Sequence, residues 1–434
     1  MAEHSPLARL LQERCGKRVF QIFSEHVRTQ KNFYATLDSI DRKEVVIDGR
    51  RLINFNAIDY LGLDTDPRMI RAAQEAAARW GTHAGLSRAA AEMSLYRVLE
   101  ERITRFMGVD NALVYNSVTL ANHGVVPLLM RQKTLVIVDW EAHSSVHRAA
   151  IEAKGGGAGL LSFNHDDFEQ LETLLKENRD NYKHVMIALD GIYSMLGTYL
   201  DLPRYLALAA KYDAFLFVDD AHGFGVVGRG GRGIVDHYGQ SYDNLVYVAS
   251  MEKSISSLGG FVIVPAHSRD FFRYNSHTYI FSGQLPAACL GSAIQGIDIL
   301  ENEGPALLAR LFRTIQHVKA ELQQMGFELI GENQPHPLIL LKVGDVYTAS
   351  AVSQFFFEEG IHILTVGFPV IPVARGALVR ISLSAGHSDS QVEQLLATFR
   401  KLKSVLPSLQ QHAAHAVIAL NGGAASVPAC TDET

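Results

Sequence analysis

Cysteine is scarce in this chain, with three in 434 residues, at Cys15, Cys289 and Cys430. So few and so far apart, they form neither a disulfide framework nor a zinc-ligand pattern, and the expected setting is a reducing, cytoplasmic one. Long apolar runs are missing as well. Leu258–Val264 is among the longest, it contains two glycines, and nothing approaches the roughly 18 residues that span a bilayer. There is no basic excess: 40 Lys and Arg stand against 46 Asp and Glu, a net charge of −6. That excludes a nucleic-acid binder working through a global basic surface. It permits an anionic cofactor, which needs only a few local donors. The opening MAEHSPLARLLQERCGKR is too charged for a secretory signal. What is present is apolar material for a large core, 47% hydrophobic against 20% charged. The length suggests two or three structural units of an enzyme-sized globular protein.

Residues 1–55 read as an N-terminal packing or dimer-contact segment. Its stretch Leu7–Val27 is amphipathic, with Leu7, Leu10, Leu11, Val19, Phe20, Ile22 and Phe23 apolar. Gly16 interrupts it, which disfavours a membrane-surface helix. Residues 56–300 form the large unit, where short β-branched runs alternate with segments of helical period. The predicted strands are Ala112–Tyr115, Leu135–Asp139, Gly159–Phe163, Val185–Asp190, Phe215–Asp219, Leu245–Ala249 and Gly260–Val264. Helices are predicted between them, among them Leu95–Met107, Val118–Met130, Ser145–Ala153, Asp167–Asn178 and Leu202–Tyr212. This alternation implies a mostly parallel sheet covered on both faces. Residues 301–406 read as a smaller α+β unit opening with a helix over Gly304–Met325, and 407–434 as a loose tail.

In an open α/β sheet, ligands bind beyond the carboxyl ends of the strands. Four polar clusters follow predicted strands directly: His143 and Ser145 in DWEAHSSVH, Ser194 in DGIYSMLG, Asp219 and His222 in FLFVDDAHG, and Ser250 and Lys253 in VYVASMEKS. Each alone has a bland reading. Asp219-Asp220-x-His222 could cap a helix or supply half a metal site, but no third ligand stands out. Gly228-x-Gly230-x-x-Gly233 formally matches a dinucleotide fingerprint in the wrong place, about nine residues past a strand end, so it reads as a loop shaping the cleft. Taken together, the clusters meet the requirements of pyridoxal 5′-phosphate (PLP). A lysine can form an imine with an aldehyde, and a carboxylate can keep a pyridine nitrogen protonated so that the ring draws in electrons. A histidine can stack on the ring, and hydroxyls with backbone N–H groups can hold a phosphate.

With those residues in place, the sequence resembles the α-oxoamine synthases of the fold-type I PLP enzymes from about Asn54 to Leu406. The anchors are DYLGL (59–63), LEERITRF (99–106), NSVTLAN (116–122), DWEAHSS (139–145), FNHDD (163–167), DGIYSMLG (190–197), VDDAHGFGVVGRGGRG (218–233), SMEKSISSLGG (250–260), FSGQLP (281–286) and LVRISLSAGH (378–387). The resemblance implies a seven-stranded, mostly parallel sheet and a homodimer sharing its active sites. It implies condensation of an amino acid with an acyl thioester on coenzyme A or an acyl carrier protein. Lys253 would carry the cofactor, Asp219 pair with the ring nitrogen, His222 and Ser194 bond the ring hydroxyl, and His143 stack on the ring. Ser250 with the backbone at Val118 and Thr119 would hold the phosphate, aided by Ser282 of the neighbouring subunit. Arg380 would clamp the amino-acid carboxylate.

Some positions depart from the family pattern. Ile58 stands where Asn is usual, Leu86 and Tyr96 flank an altered loop, Val118-Thr119 replaces Gly with an aromatic, Glu252 precedes the lysine, and VGFPVIP (366–372) replaces an Arg-Pro-Pro element. They are expected around the substrate side of the pocket, leaning towards a longer or less polar acyl chain. An aminotransferase, an aldolase or a regulatory subunit of a heterodimeric synthase are the competing readings.

Overall fold

The computed structural model describes residues 5–15, 34–331, 333–367, 371 and 376–420. Seven strands form the central sheet in the order Ala112–Tyr115, Gly260–Ile263, Leu245–Ser250, Phe215–Asp219, His184–Asp190, Thr134–Asp139, Gly159–Phe163. All are parallel except Gly260–Ile263, which runs against both its neighbours. Each predicted strand is found, with ends shifted by at most one residue.

The inner strands are apolar on both sides because helices cover both faces. Val136 and Val138 pack with helices Val118–Leu129 and Ser144–Gly155 on one face. Leu135 and Ile137 point into the opposite core with Leu171, Leu175, Tyr205 and Leu290. Four parallel strands end in a polar residue, namely Asp139, Asp190, Asp219 and Ser250. Parallel direction therefore sets these four side by side along one edge of the sheet.

A single 38-residue helix, Ala287–Gln324, leaves the large unit and enters the small one. It begins well before the expected Gly304, because its stripe of Leu290, Ala293, Ile297, Leu300, Leu308, Leu311, Ile315 and Leu322 stays buried straight through Pro305. The small unit is an antiparallel sheet of Leu329–Ile330, Leu338–Gly344, Ala377–Ser382 and Leu364–Val366, packed on helices Val346–Glu358 and Asp389–Leu420. The last helix continues through 407–420, where the sequence suggested a loose tail; 421–434 lie outside the described residues. The strands Leu37–Asp41, Glu44–Ile47 and Arg50–Asn54 join this side of the molecule, with Ile53 pairing to Ile361. Helix Pro6–Cys15 buries none of its residues on this chain, so the packing role expected of it is not made within the described chain. The rest of that amphipathic stretch, 16–27, falls outside the description. No helix among the described residues is long and apolar enough to cross a membrane.

Candidate active site

Sheet register places Asp190 level with Asp219 on adjacent strands. Asp219 Oδ2 accepts from Asn122 Nδ2 at 2.8 Å, and its Oδ1 accepts from the Ala221 N–H at 3.1 Å. Asn122 also donates to Ser145 Oγ at 2.9 Å, and Ser145 Oγ lies 2.7 Å from His143 Nδ1. The His143 N–H donates to both oxygens of Asp190 at 3.1 Å. Burial first, and the Asp219 charge second, push the Asp190 carboxyl well above the usual carboxylate range. Asp219 is thus tied to His143 through Asn122 and Ser145, while Asp190 holds the His143 backbone; the sequence reading gave Asn122 and Asp190 no role. The signal for Asn122 was weak: a fully buried amide on a helix face of Val118, Ala121 and Val125.

His222, on the turn after Asp219, has Nδ1 2.7 Å from the Tyr60 hydroxyl. Burial and then the Lys253 charge drive its pKa well below the ordinary histidine value, so the ring is neutral. Tyr60 belongs to DYLGL, a segment whose match to the family carried no such assignment. Asp220 goes elsewhere: its Oδ2 accepts from the Ile234 N–H at 2.7 Å and the Tyr247 hydroxyl at 2.8 Å. The three polar residues of Asp219-Asp220-x-His222 therefore face three separate sets of partners. Burial raises the Asp220 carboxyl to about 7.

Lys253 lies just past the strand that ends at Ser250 and joins no ion pair among the described residues. Burial lowers its pKa from the ordinary lysine value, opposed by the Asp219 charge. The fully buried Ser250 Oγ accepts from the Glu252 N–H at 3.0 Å, which leaves its own hydrogen to donate. Ser250 pairs with Gly260, and a Cβ on Gly260 would lie 2.8 Å from the Val118 nitrogen. Only glycine lets the start of helix Val118–Leu129, N-capped by Ser117, come so close to the strand. The first two N–H groups of that helix, on Val118 and Thr119, have no partner within it and offer an anion site beside Ser250.

The side chain of Arg380, on Ala377–Ser382, makes no hydrogen bond or ion pair among the described residues, and its Nε is buried with no partner. Ser194 is half-buried in the turn between Ile192–Tyr193 and Thr198–Tyr199, and its side chain contacts none of the other candidates. Ser282 Oγ donates to the Thr278 carbonyl at 2.5 Å and receives Asn116 Nδ2 at 3.2 Å, both within its own chain.

These groups fit PLP: an amine without an ion-pair partner among the described residues, a carboxylate held by two donors and able to face a ring nitrogen, a neutral histidine beside it, and a phosphate cradle that a Cβ at Gly260 would fill. The family model for aminotransferase class I and II matches residues 50–399. An 8-amino-7-oxononanoate synthase of Alkaliphilus oremlandii is 31% identical over 367 residues, covering 84% of this chain and 91% of the relative. The serine palmitoyltransferase structure of Sphingomonas wittichii superposes with a TM-score of 0.85 at 26% identity, over 92% of this chain and 99% of that one. The chain belongs to the α-oxoamine synthase family. It is a PLP-dependent enzyme of fold type I, and a similar structure that carries PLP covers 93% of this chain at 25% identity with a TM-score of 0.86.

Within this α-oxoamine synthase, one departure from the family pattern lies elsewhere than expected. Tyr96 is fully buried in the core, with its ring centroid 3.8 Å from the Arg88 guanidinium and its hydroxyl accepting from the Leu285 N–H at 2.7 Å. It supports the 86–93 loop and does not line the substrate side. Ile58 is half-buried against the main core, while the Leu86 side chain is exposed. Of VGFPVIP, residues 368–370 and 372 lie outside the described structure.

Proposed function

We propose that this enzyme joins an acyl thioester to an α-amino acid with loss of CO2, giving an α-aminoketone, and that it does so as a homodimer in the cytoplasm. The observation that carries the reading is Arg380, a half-buried guanidinium whose buried Nε has no partner and which meets no anion among the described residues. Such a fork is matched by a carboxylate, which binds it through two parallel hydrogen bonds. Bound PLP supplies an electron-withdrawing pyridinium that stabilises the electron pair left at the amino-acid Cα.

The chain's own residues do the rest. Asp219 pairs with the ring nitrogen, His222 and Ser194 hold the ring hydroxyl, and His143 covers the ring face. Ser250 with the N–H groups of Val118 and Thr119 grips the phosphate, and Ser282 reaches it from the neighbouring subunit. Arg380 would fix the carboxylate and so orient the amino acid for removal of its Cα proton. Lys253, whose amine burial keeps more readily neutral and so free to accept, takes that proton. The Cα electron pair then forms a bond to the thioester carbonyl carbon, the C–S bond breaks, and the sulfur leaves as thiolate, which takes a proton from solvent. Loss of the carboxylate as CO2 leaves its electron pair at Cα, and Lys253 returns the proton there. The apolar Ile58 favours a longer, less polar acyl chain.

The test offers the holoenzyme a panel of amino acids and acyl thioesters, and follows free thiol and labelled CO2. Thiol release should require the amino acid, and Arg380→Ala should raise the amino-acid KM by roughly 10- to 100-fold, the worth of a charge-assisted pair. Amino-group transfer to a 2-oxo acid, with no thiol from any thioester, would overturn the reading.

A further inference from the structure

Asn122 has no part in the chemistry just described, yet it is placed with unusual definition. Its Nδ2 faces two oxygens, Asp219 Oδ2 at 2.8 Å and Ser145 Oγ at 2.9 Å. An amide beside an ionised carboxylate must turn its nitrogen inward, because oxygen against oxygen repels; Asp219 therefore sets the amide orientation. One N–H then goes to Asp219 and the other to Ser145. Having accepted that bond, Ser145 Oγ keeps its own hydrogen to donate, and His143 Nδ1 lies 2.7 Å away. The backbone N–H of Ser145 donates to the same nitrogen at 3.3 Å. A backbone amide can only donate, so Nδ1 is an acceptor on two counts, weakly from the long backbone contact and mainly from the hydroxyl, and carries no proton.

We infer that Asn122 and Ser145 are positioning residues that lock His143 as its Nε2–H tautomer and join it, in one directed chain of hydrogen bonds, to the carboxylate Asp219. Burial holds the His143 ring below the ordinary histidine pKa, which keeps it neutral with this single hydrogen. The ring is pinned from behind as well, because its backbone N–H is bound to both oxygens of Asp190.

The consequence is a division of labour. A ring nitrogen that carries its hydrogen can donate to an oxygen on the substrate but cannot take a proton. His143 therefore acts as a hydrogen-bond donor to a carbonyl or carboxylate oxygen, and proton removal is left to Lys253. What Nε2–H faces rests on the function proposed above; the tautomer itself does not.

The experiment uses holoenzyme labelled with 15N-histidine, the His143 ring signals being identified by their loss in His143→Gln. The ring nitrogens of the native protein should show Nδ1 bare and Nε2 protonated. Ser145→Ala removes the hydroxyl donor, and Asn122→Ala frees that hydroxyl to turn away. Each should mix the two tautomers and lower kcat about tenfold, the scale of one hydrogen bond, with the amino-acid KM little changed. Ser145→Thr, which keeps the hydroxyl, should restore both tautomer and rate. A protonated Nδ1 in the native enzyme, or a tautomer unmoved in both alanine variants, overturns the inference. The native measurement decides it even if a variant fails to fold. Absence of thiol release with Nδ1 bare would remove the proposed reaction and leave the tautomer assignment standing.

Discussion

The carboxyl edge of the large sheet and the strand of the small unit that carries Arg380 are finished in opposite ways. At the edge, every buried carboxylate receives donors from the chain itself. Asp139 has the Tyr193 hydroxyl and the Glu141 N–H, Asp190 the His143 N–H, Asp219 Asn122 and Ala221, and Asp220 Tyr247 and Ile234. In the small unit, the half-buried cation Arg380 has no acceptor for its side chain among the described residues. Folding alone satisfies the first group, while the second keeps a desolvated charge open. A buried charge without a partner costs stability, and a bound anion offsets it. One region is built to hold its groups still, and the other to wait for a ligand.

The sharpest way to break that contrast is Lys253→Ala. Thiol release should fall by at least about 10³-fold, the loss of a positioned proton carrier. Borohydride should no longer fix a pyridoxyl group on the protein, as read by mass spectrometry. A variant that keeps the label on the same peptide would contradict the assignment.

Asp220 sharpens the comparison from behind the edge. Its folded pKa of about 7 lies above the unfolded carboxylate value of roughly 3.9. The folded state therefore holds the proton more tightly, and the stability this gives below about pH 4 is withdrawn as pH rises to about 7, in all about 4 kcal/mol. Asp220→Asn cannot ionise, so it should gain on the native protein steadily over that interval in urea unfolding. Parallel stability profiles would show that Asp220 stays charged.

The smallest effect separates the two regions directly. Arg380→Met, in the ligand-free enzyme, should leave stability unchanged or raise it by about 1 kcal/mol. Asn122→Ala should lower it by about 1–3 kcal/mol, the cost of stripping a buried carboxylate of a donor. Thermal unfolding of both variants decides the matter, and a larger loss at Arg380 would reverse the comparison.

Much of this was legible in the sequence, because the sheet writes its own pattern. Unbroken apolar runs ending in Asp139, Asp190, Asp219 and Ser250 mark parallel strands buried on both faces, and they mark the edge where chemistry collects. The long helix was legible only in part. Gly304-Pro305 reads as a break, since an interior proline costs about 3 kcal/mol. The continuous buried stripe from Leu290 to Leu322 outweighs it. The supporting residues escaped for a different reason. Asn122 meets Asp219 across 97 positions and Tyr60 meets His222 across 162. No local spacing encodes such a meeting. Tyr96 was misplaced because its change of residue type drew attention to the substrate, while its partner, Arg88, lay eight positions earlier in the core.

The glycine loop after His222 has a meaning beyond its shape. Dinucleotide loops of this spacing present a helix N-terminus to a phosphate that arrives from solution. Here Gly233 caps the short helix Ile234–His237, and the Ile234 N–H donates to Asp220 Oδ2. A Cβ at Gly233 would lie 2.4 Å from that oxygen and 2.3 Å from the Tyr247 hydroxyl bound to it, so glycine is required by the protein's own carboxyl. The loop is self-liganded. The chain supplies from within the acceptor oxygen that a nucleotide phosphate would otherwise bring, and so turns a binding motif into an internal brace.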